Sequence, residues 1–280
     1  MAPTSLQCLG LCIGTTAALI LVHWRLRLRK RTGLGLPRRV GLIGGLAPAS
    51  TISYYKAINA GVREELGGRH AAEVVIFSFD QAPVIADEFA HRWDAVGAHL
   101  ARAGCALQAA GCECLLICCN TVHDETAFAA LRGAVHVPIL HIAEVAADAL
   151  SRRRRRRVAL LGTEFTAAAG SFFVERLEAR GFEVVLDEPD ARAILDRLIY
   201  DELTLDVVRP EAVRWFAARV ERLLGDERCE ACVLGCTELS MLLDDACIRL
   251  RDEGVLLDTA DLHAQAAVRF ACTDANFQKI

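Results

Sequence analysis

The sequence predicts an α/β protein of two similar lobes, each a parallel sheet flanked by helices. An active site is expected in the cleft between them, and a single-span helix in front. Three observations carry this. Short apolar runs alternate with helical periodicities from residue 38 onward, the pattern of βαβ units. The order strand, helix, strand, helix, cysteine-bearing strand occurs twice, a repeat of architecture and hardly of sequence. Residues 3–24 are almost wholly apolar and uncharged, and Arg25-Leu26-Arg27-Leu28-Arg29-Lys30-Arg31 follows at once.

With 280 residues, 53% of them hydrophobic and 24% charged, the chain has material for a large core. Its net charge of −4 gives no whole-molecule attraction for nucleic acid. No aromatic-and-basic recognition motif occurs either, so nucleic acid is not expected as a partner. Several of the twelve cysteines (Cys112, Cys114, Cys118, Cys232) fall in apparent buried strands. They read as free thiols of a reducing compartment.

Residues 1–37 read as a membrane anchor and basic linker. About 20 residues at ~1.5 Å each cross a bilayer core of about 30 Å. Basic residues after the span and none before it favour a following domain in the cytosol, whereas a signal peptide carries its charge first. The expectation is a single-pass protein of the endoplasmic reticulum or outer mitochondrial membrane, facing the cytosol, with mitochondrial import as the alternative.

The first lobe is expected over 38–147. Val40 to Gly45 is a strand entering a glycine turn, and Pro48-Ala49-Ser50-Thr51 opens a helix to about Glu65. The turn is neither a Walker loop nor a dinucleotide fingerprint. It reads either as a tight connection or as backbone N–H groups facing an anion such as a substrate carboxylate. A strand at Glu73–Phe79 and a helical pattern over Asp87–Ala110 follow. Next come the Cys119 strand with its helix, a short strand at Val137–Leu140, and a helix at Ala143–Ala149. The basic run Arg152 to Arg157 ends that helix, where cations complement the dipole.

The second lobe is expected over 148–280. Val158 to Thr163 restarts the pattern, with a helix at about Ala167–Arg180, a strand at Phe182–Leu186, and helices at Ala191–Glu202 and Glu211–Leu224. The Cys236 strand, a strand at Val255–Thr259 and a closing helix follow; that helix, 260–274, can pack back on the first lobe.

Cys119 and Cys236 each end an apolar run and precede cap-forming residues. C-terminal strand ends are where α/β sheets place ligands, and helix N-terminal N–H groups there favour the thiolate. A lone cysteine is ordinarily a small hydrophobe; the duplication is what singles out these two. Cys112-x-Cys114 and Cys229-x-x-Cys232 lack the glycine-rich turns of zinc knuckles, so no metal is expected.

Gly44-Gly45 with Ser50-Thr51-x-x-Tyr54-Tyr55, Cys119-Asn120-Thr121-Val122-His123, Leu161-Gly162-Thr163 and Gly235-Cys236-Thr237-Glu238 together resemble the aspartate/glutamate (Asp/Glu/hydantoin) racemase superfamily. The resemblance covers about residues 38–274. The aspartate racemase branch fits best, because glutamate racemases typically carry His where this chain has Glu238. The resemblance implies a racemase independent of pyridoxal phosphate or any other cofactor, interconverting L- and D-aspartate or glutamate. Cys119 and Cys236 would be its opposed acid and base, and the enzyme a homodimer. It implies substrate contacts at Gly45, Leu46, Ser50, Thr51, Asn120, Thr121, Thr237 and Glu238. A cation for a side-chain carboxylate is expected from Arg69 or Arg192. One departure bears on specificity: the branch commonly reads Gly-Gly-Met-Gly/Ser-x-Glu-Ser-Thr, and here Leu46-Ala47-Pro48-Ala49 fills the middle. Hydantoin racemisation, maleate isomerisation and non-catalytic small-acid binding are the alternatives on the same scaffold.

Overall fold

The computed structural model describes residues 37–273. The apolar stretch 3–24 and its basic flank lie outside them. Among the described residues no helix is long and apolar enough to cross a membrane.

Two four-stranded parallel sheets are built in the same order. The first holds β1 (Val40–Gly44), β2 (Val74–Ser78), β3 (Cys114–Ile117) and β4 (Ile139–Leu140), arranged β2-β1-β3-β4. The second holds β5 (Arg157–Leu161), β6 (Glu183–Leu186), β7 (Ala231–Leu234) and β8 (Leu256–Asp258), arranged β6-β5-β7-β8. β1 and β3 pair from Val40↔Cys114 to Ile43↔Ile117, and β5 and β7 from Val158↔Ala231 to Leu161↔Leu234. These central strands are covered on both faces, which is why they read as unbroken apolar runs. Chain order reverses between β1 and β3 and between β5 and β7, and such switch points open a crevice at the carboxyl ends of the strands.

The helices are α1 (Pro48–Leu66), α2 (Gln81–Phe89), α3 (Trp93–Ala109), α4 (Glu125–Ala134), α5 (Ile142–Arg152), α6 (Phe172–Ala179), α7 (Pro189–Asp201), α8 (Pro210–Gly225), α9 (Asp245–Asp252) and α10 (Thr259–Cys272). Two of them are exchanged between lobes. α5 follows the first sheet, yet its stripe of Ile142, Ala146 and Leu150 packs with Val158, Leu160 and Phe173 of the second. α10 follows the second sheet, yet Ala264, Ala267 and Ala271 pack with Tyr54, Ile58 and Leu116 of the first. The lobe boundary therefore falls near His141, ahead of α5, rather than at 147/148. The crossing helices hold the lobes together.

The helical pattern over Asp87–Ala110 is broken. His91 takes a left-handed backbone (φ 53°), and Arg92 turns back to Asp87 at 2.6 Å. The break sets Phe89, His91 and Trp93 against Phe165 of the other lobe, with ring centroids 5.9, 5.6 and 5.5 Å away. α6 begins later than expected because Gly170 (φ 77°) turns the chain before Ser171, whose hydroxyl caps Val174 N–H. The ten described cysteines are all free thiols.

Candidate active site

Cys119 lies just past β3. Cys118 N–H extends the ladder to Ile43 O (2.9 Å), and its side chain is buried on the α1/α10 face, so Cys119 turns into the cleft. The turn Thr121–His123 directs the Thr121 and Val122 N–H groups at the Cys119 sulfur. Cys236 holds the same position beyond β7. There Gly235 N–H reaches Leu161 O, and Gly162 approaches so closely that a Cβ on it would sit 2.9 Å from Gly235 O.

Glu238 is a junction between the lobes. Its buried carboxylate accepts hydrogen bonds from Cys236 Sγ (2.9 Å), Thr237 Oγ1 (2.9 Å) and, from the other lobe, Ser50 Oγ (2.7 Å). Thr121 and Thr163 also meet across the cleft, Oγ1 to Oγ1 at 3.2 Å. Asn120 Nδ2 donates to Thr259 Oγ1, which itself donates to Leu234 O. The amide is thereby oriented, because Thr259 has no second proton to offer. Asn120 Oδ1 is left buried with no partner among the described residues.

Both cysteines line one cleft with Leu46, Thr163, Glu88 and Tyr200. It is nearly shut, with a free volume of about 30 Å³, room for a water or two and not for an amino acid. Tyr200 of the lining packs on Phe89, which packs in turn on Phe165 of the second lobe, with centroids 4.9 and 5.9 Å apart.

Burial pushes the Cys119 thiol up first, and the carboxyls of Glu88 and Glu238 push it further. The N–H groups of Val122 and Thr121 pull the other way and are outweighed. Cys236 is raised in the same manner, by burial and then by Glu238. Both shifts favour the neutral thiol in the closed cleft. The thiolate expected from helix N–H groups is disfavoured there, because desolvation of the anion opposes what those donors return.

The sequence pattern of the Asp/Glu/hydantoin racemase family matches residues 43–267. The chain belongs to that family. A candidate Asp/Glu racemase from Yersinia pestis is similar at 30% identity, covering 84% of this chain and 100% of its own, with a TM-score of 0.73. An aspartate racemase homologue from Pyrococcus horikoshii follows at 29% identity, covering 84% and 99%, with a TM-score of 0.70. The Picrophilus torridus aspartate racemase shares the fold at 19% identity, covering 86% and 96%, with a TM-score of 0.62.

In this member of the racemase family the expected site residues divide. Leu46, Asn120, Thr121, Thr237 and Glu238 line the cleft with the cysteines. Ser50 reaches it only through Glu238. Gly45 and Thr51 serve the loop instead: Gly45 N–H donates to Thr51 Oγ1 (2.9 Å), so it is not free for an anion. Arg69 sits exposed in the turn between α1 and β2, at the amino end of the strands and so opposite the crevice. Arg192 lies in the first turn of α7, with Nη1 on Ala167 O (3.3 Å), and does not line the cleft. Sequence reasoning missed Glu88 and Tyr200. Glu88 shares the buried stripe of α2 with Val84, and an acid on a buried stripe was the available signal.

A histidine cluster backs the Cys119 turn in this racemase-family fold. His123 Nδ1 donates to Cys119 O (2.8 Å) and Nε2 accepts from Ile142 N–H (3.4 Å). His263 Nε2 donates to Leu140 O (2.9 Å) and Nδ1 accepts from Tyr54 (3.0 Å). His141 Nδ1 caps Ala143 N–H (3.2 Å). Burial, the largest cause in each, lowers His123 to about 3, His263 to about 4, and His141 further still. Below pH ~6.5 the unfolded chain protonates these rings while the folded one does not, so acidification destabilises. Glu88 and Asp258, raised by burial to about 7 and about 6, oppose this. They take up protons in the folded state first, until unfolded carboxyls follow near pH ~4. Stability should therefore decline gently from pH ~6.5 to ~4.5 and steeply below, read as the urea midpoint. His141→Asn keeps a helix cap, removes one of the three rings, and should flatten the gentle limb. An unchanged limb would show that His141 is not held neutral.

Proposed function

We propose that the chain is a cofactor-independent amino-acid racemase in which Cys119 and Cys236 act on opposite faces of the substrate α-carbon. The observation that carries it is the pairing. Two cysteines at equivalent strand ends of two like-built lobes share one cleft, one of them hydrogen-bonded to a buried carboxylate. A single base tends to return a proton to the face it came from, so inversion calls for two groups.

Glu238 takes the Cys236 proton, and the thiolate removes the α-proton. The charge passes into the substrate carboxylate, where the Leu46 and Ala47 N–H groups of the cleft wall can hold it. Cys119 then donates its proton on the far face. The resulting Cys119 thiolate and Cys236 thiol are the starting state for the other enantiomer. The substrate α-ammonium supplies the donor that Asn120 Oδ1 lacks, and its positive charge favours a thiolate beside it.

Aspartate is the substrate the family resemblance implies, but neither arginine offered for its side-chain carboxylate lines the cleft. Residues 3–24 are proposed to tether the catalytic domain to a membrane on its cytosolic face, and two copies to associate as a homodimer. The test is α-proton exchange. The full-length chain is incubated in D₂O with L-aspartate, L-glutamate, L-alanine and L-ornithine, followed by NMR and chiral analysis, and its sedimentation with membranes is scored on the same preparation. Exchange with inversion is expected. A folded protein that exchanges none of them would shift the reading to hydantoins, maleate or plain binding.

A further inference from the structure

We propose that Glu88 selects the substrate side chain, and that the preferred substrate is an amino acid whose side chain ends in a hydrogen-bond donor, an ammonium or a hydroxyl, rather than a dicarboxylate. This rests on the racemase reading above and goes beyond it.

Glu88 is 3% exposed, lines the cleft, and belongs to α2 of the first lobe. Among the described residues its carboxyl accepts no hydrogen bond and pairs with no cation, although its neighbour Asp87 is paired with Arg92 and His99. A carboxyl this little exposed and without a partner is costly, and its oxygens keep their residual contact with the cleft space, so its retention there points to a partner that arrives with the ligand. Glu88 is held up to about 7 by burial alone, which is the behaviour of a group with nothing beside it to favour the charge. The apolar walls of the same cleft include Ile85, Leu46 and Ile199. Apolar walls ending in an acceptor suit an aliphatic stem with a donor at its tip.

The electrostatics of the lining point the same way. No Lys, Arg or His is among the residues lining the cleft, while Glu88 and Glu238 both raise the Cys119 thiol. A dicarboxylate would bring a second carboxylate against those two with no cation to meet it. Like charges in a desolvated cleft repel strongly. A donor-ended side chain meets Glu88 instead and offsets its effect on Cys119.

The experiment measures kcat/KM for racemisation by the full-length protein on L-ornithine, L-lysine, L-homoserine, L-aspartate and L-glutamate. At least one donor-ended substrate is expected to exceed both acids by about tenfold or more, the worth of a hydrogen bond to a charged group. Ornithine against homoserine separates ammonium from hydroxyl. Glu88→Gln should lower the ratio of the best donor-ended substrate to aspartate by about tenfold. A role confined to the charge near Cys119 would scale all substrates together and leave that ratio unchanged. Glu88→Asp keeps the charge one methylene further back and should move the optimum from ornithine toward lysine. An acid as best substrate, or a ratio untouched in both variants, would overturn the assignment of Glu88 while leaving the racemase intact. No reaction on any of the five would overturn both.

Discussion

Cys119→Ala and Cys236→Ala are each expected to abolish racemisation, by about 10³-fold or more, because each removes one of the two groups proposed to move the proton. The enantiomers are equal in energy, so kcat/KM must fall by the same factor in both directions. Solvent exchange need not be symmetric. In Cys119→Ala, Cys236 still has Glu238 to take its proton. It should exchange the α-proton of one enantiomer with retention. In Cys236→Ala the remaining thiol has no hydrogen-bonded carboxylate, and burial disfavours its thiolate. Exchange of the opposite enantiomer should therefore survive more weakly. Both cysteines are near the surface of a packed core, and losing one sulfur costs about 1–2 kcal/mol, so circular dichroism should remain that of the wild type. D₂O exchange on separate L and D substrates reads all of this at once. Inversion persisting in either variant would remove that cysteine from the mechanism.

The two cysteines were legible in the sequence for a topological reason. Parallel strands deliver their carboxyl ends to one edge, so a strand followed by Cys and a cap residue locates a thiol at that edge without tertiary information. The duplicated motif then predicted two like sheets, and both have the same strand order. What the sequence withheld is what two distant segments decide together. The stripe of α5 shows a buried face and not which sheet buries it, so the exchange of α5 and α10 was invisible. Glu88 and Tyr200 reach the cleft from helices on opposite sides of it. Arg69 and Arg192 were read as cations at lip positions, before the second strand and on the helix after Pro189, although strand direction already placed the α1–β2 turn at the wrong end. The upward shift of both thiols follows from burial and Glu238, with Glu88 adding to it at Cys119, none of which a local N–H count contains. The break at His91 carries no glycine to announce it.

Gly45→Ala should be the most damaging small substitution near the site. Gly45 has φ 80°, and a Cβ there would lie 2.3 Å from Phe79 N and 2.5 Å from Phe79 O. Those atoms are backbone at the end of β2, held by Phe79 N–H to Gly44 O at 3.0 Å, so they cannot swing aside as a side chain can. Left-handed backbone costs alanine about 1–2 kcal/mol, and forcing the strands apart adds about 1–3 kcal/mol. The loss should come to about 3 kcal/mol, or roughly 6–12 °C in Tm for a domain of this size. Activity should fall as well, because moving Gly45 releases its bond to Thr51 and displaces Leu46 and Ala47 in the cleft wall. Gly133→Ala supplies the contrast. Gly133 lies in α4 with nothing within 4 Å of the added carbon, so the change should be neutral or stabilise by up to about 1 kcal/mol through helix propensity. Thermal melts of the two variants beside the wild type separate the cases. If both melt alike, the β1–α1 turn is not held against Phe79, and the position of Leu46 in the cleft would need another cause.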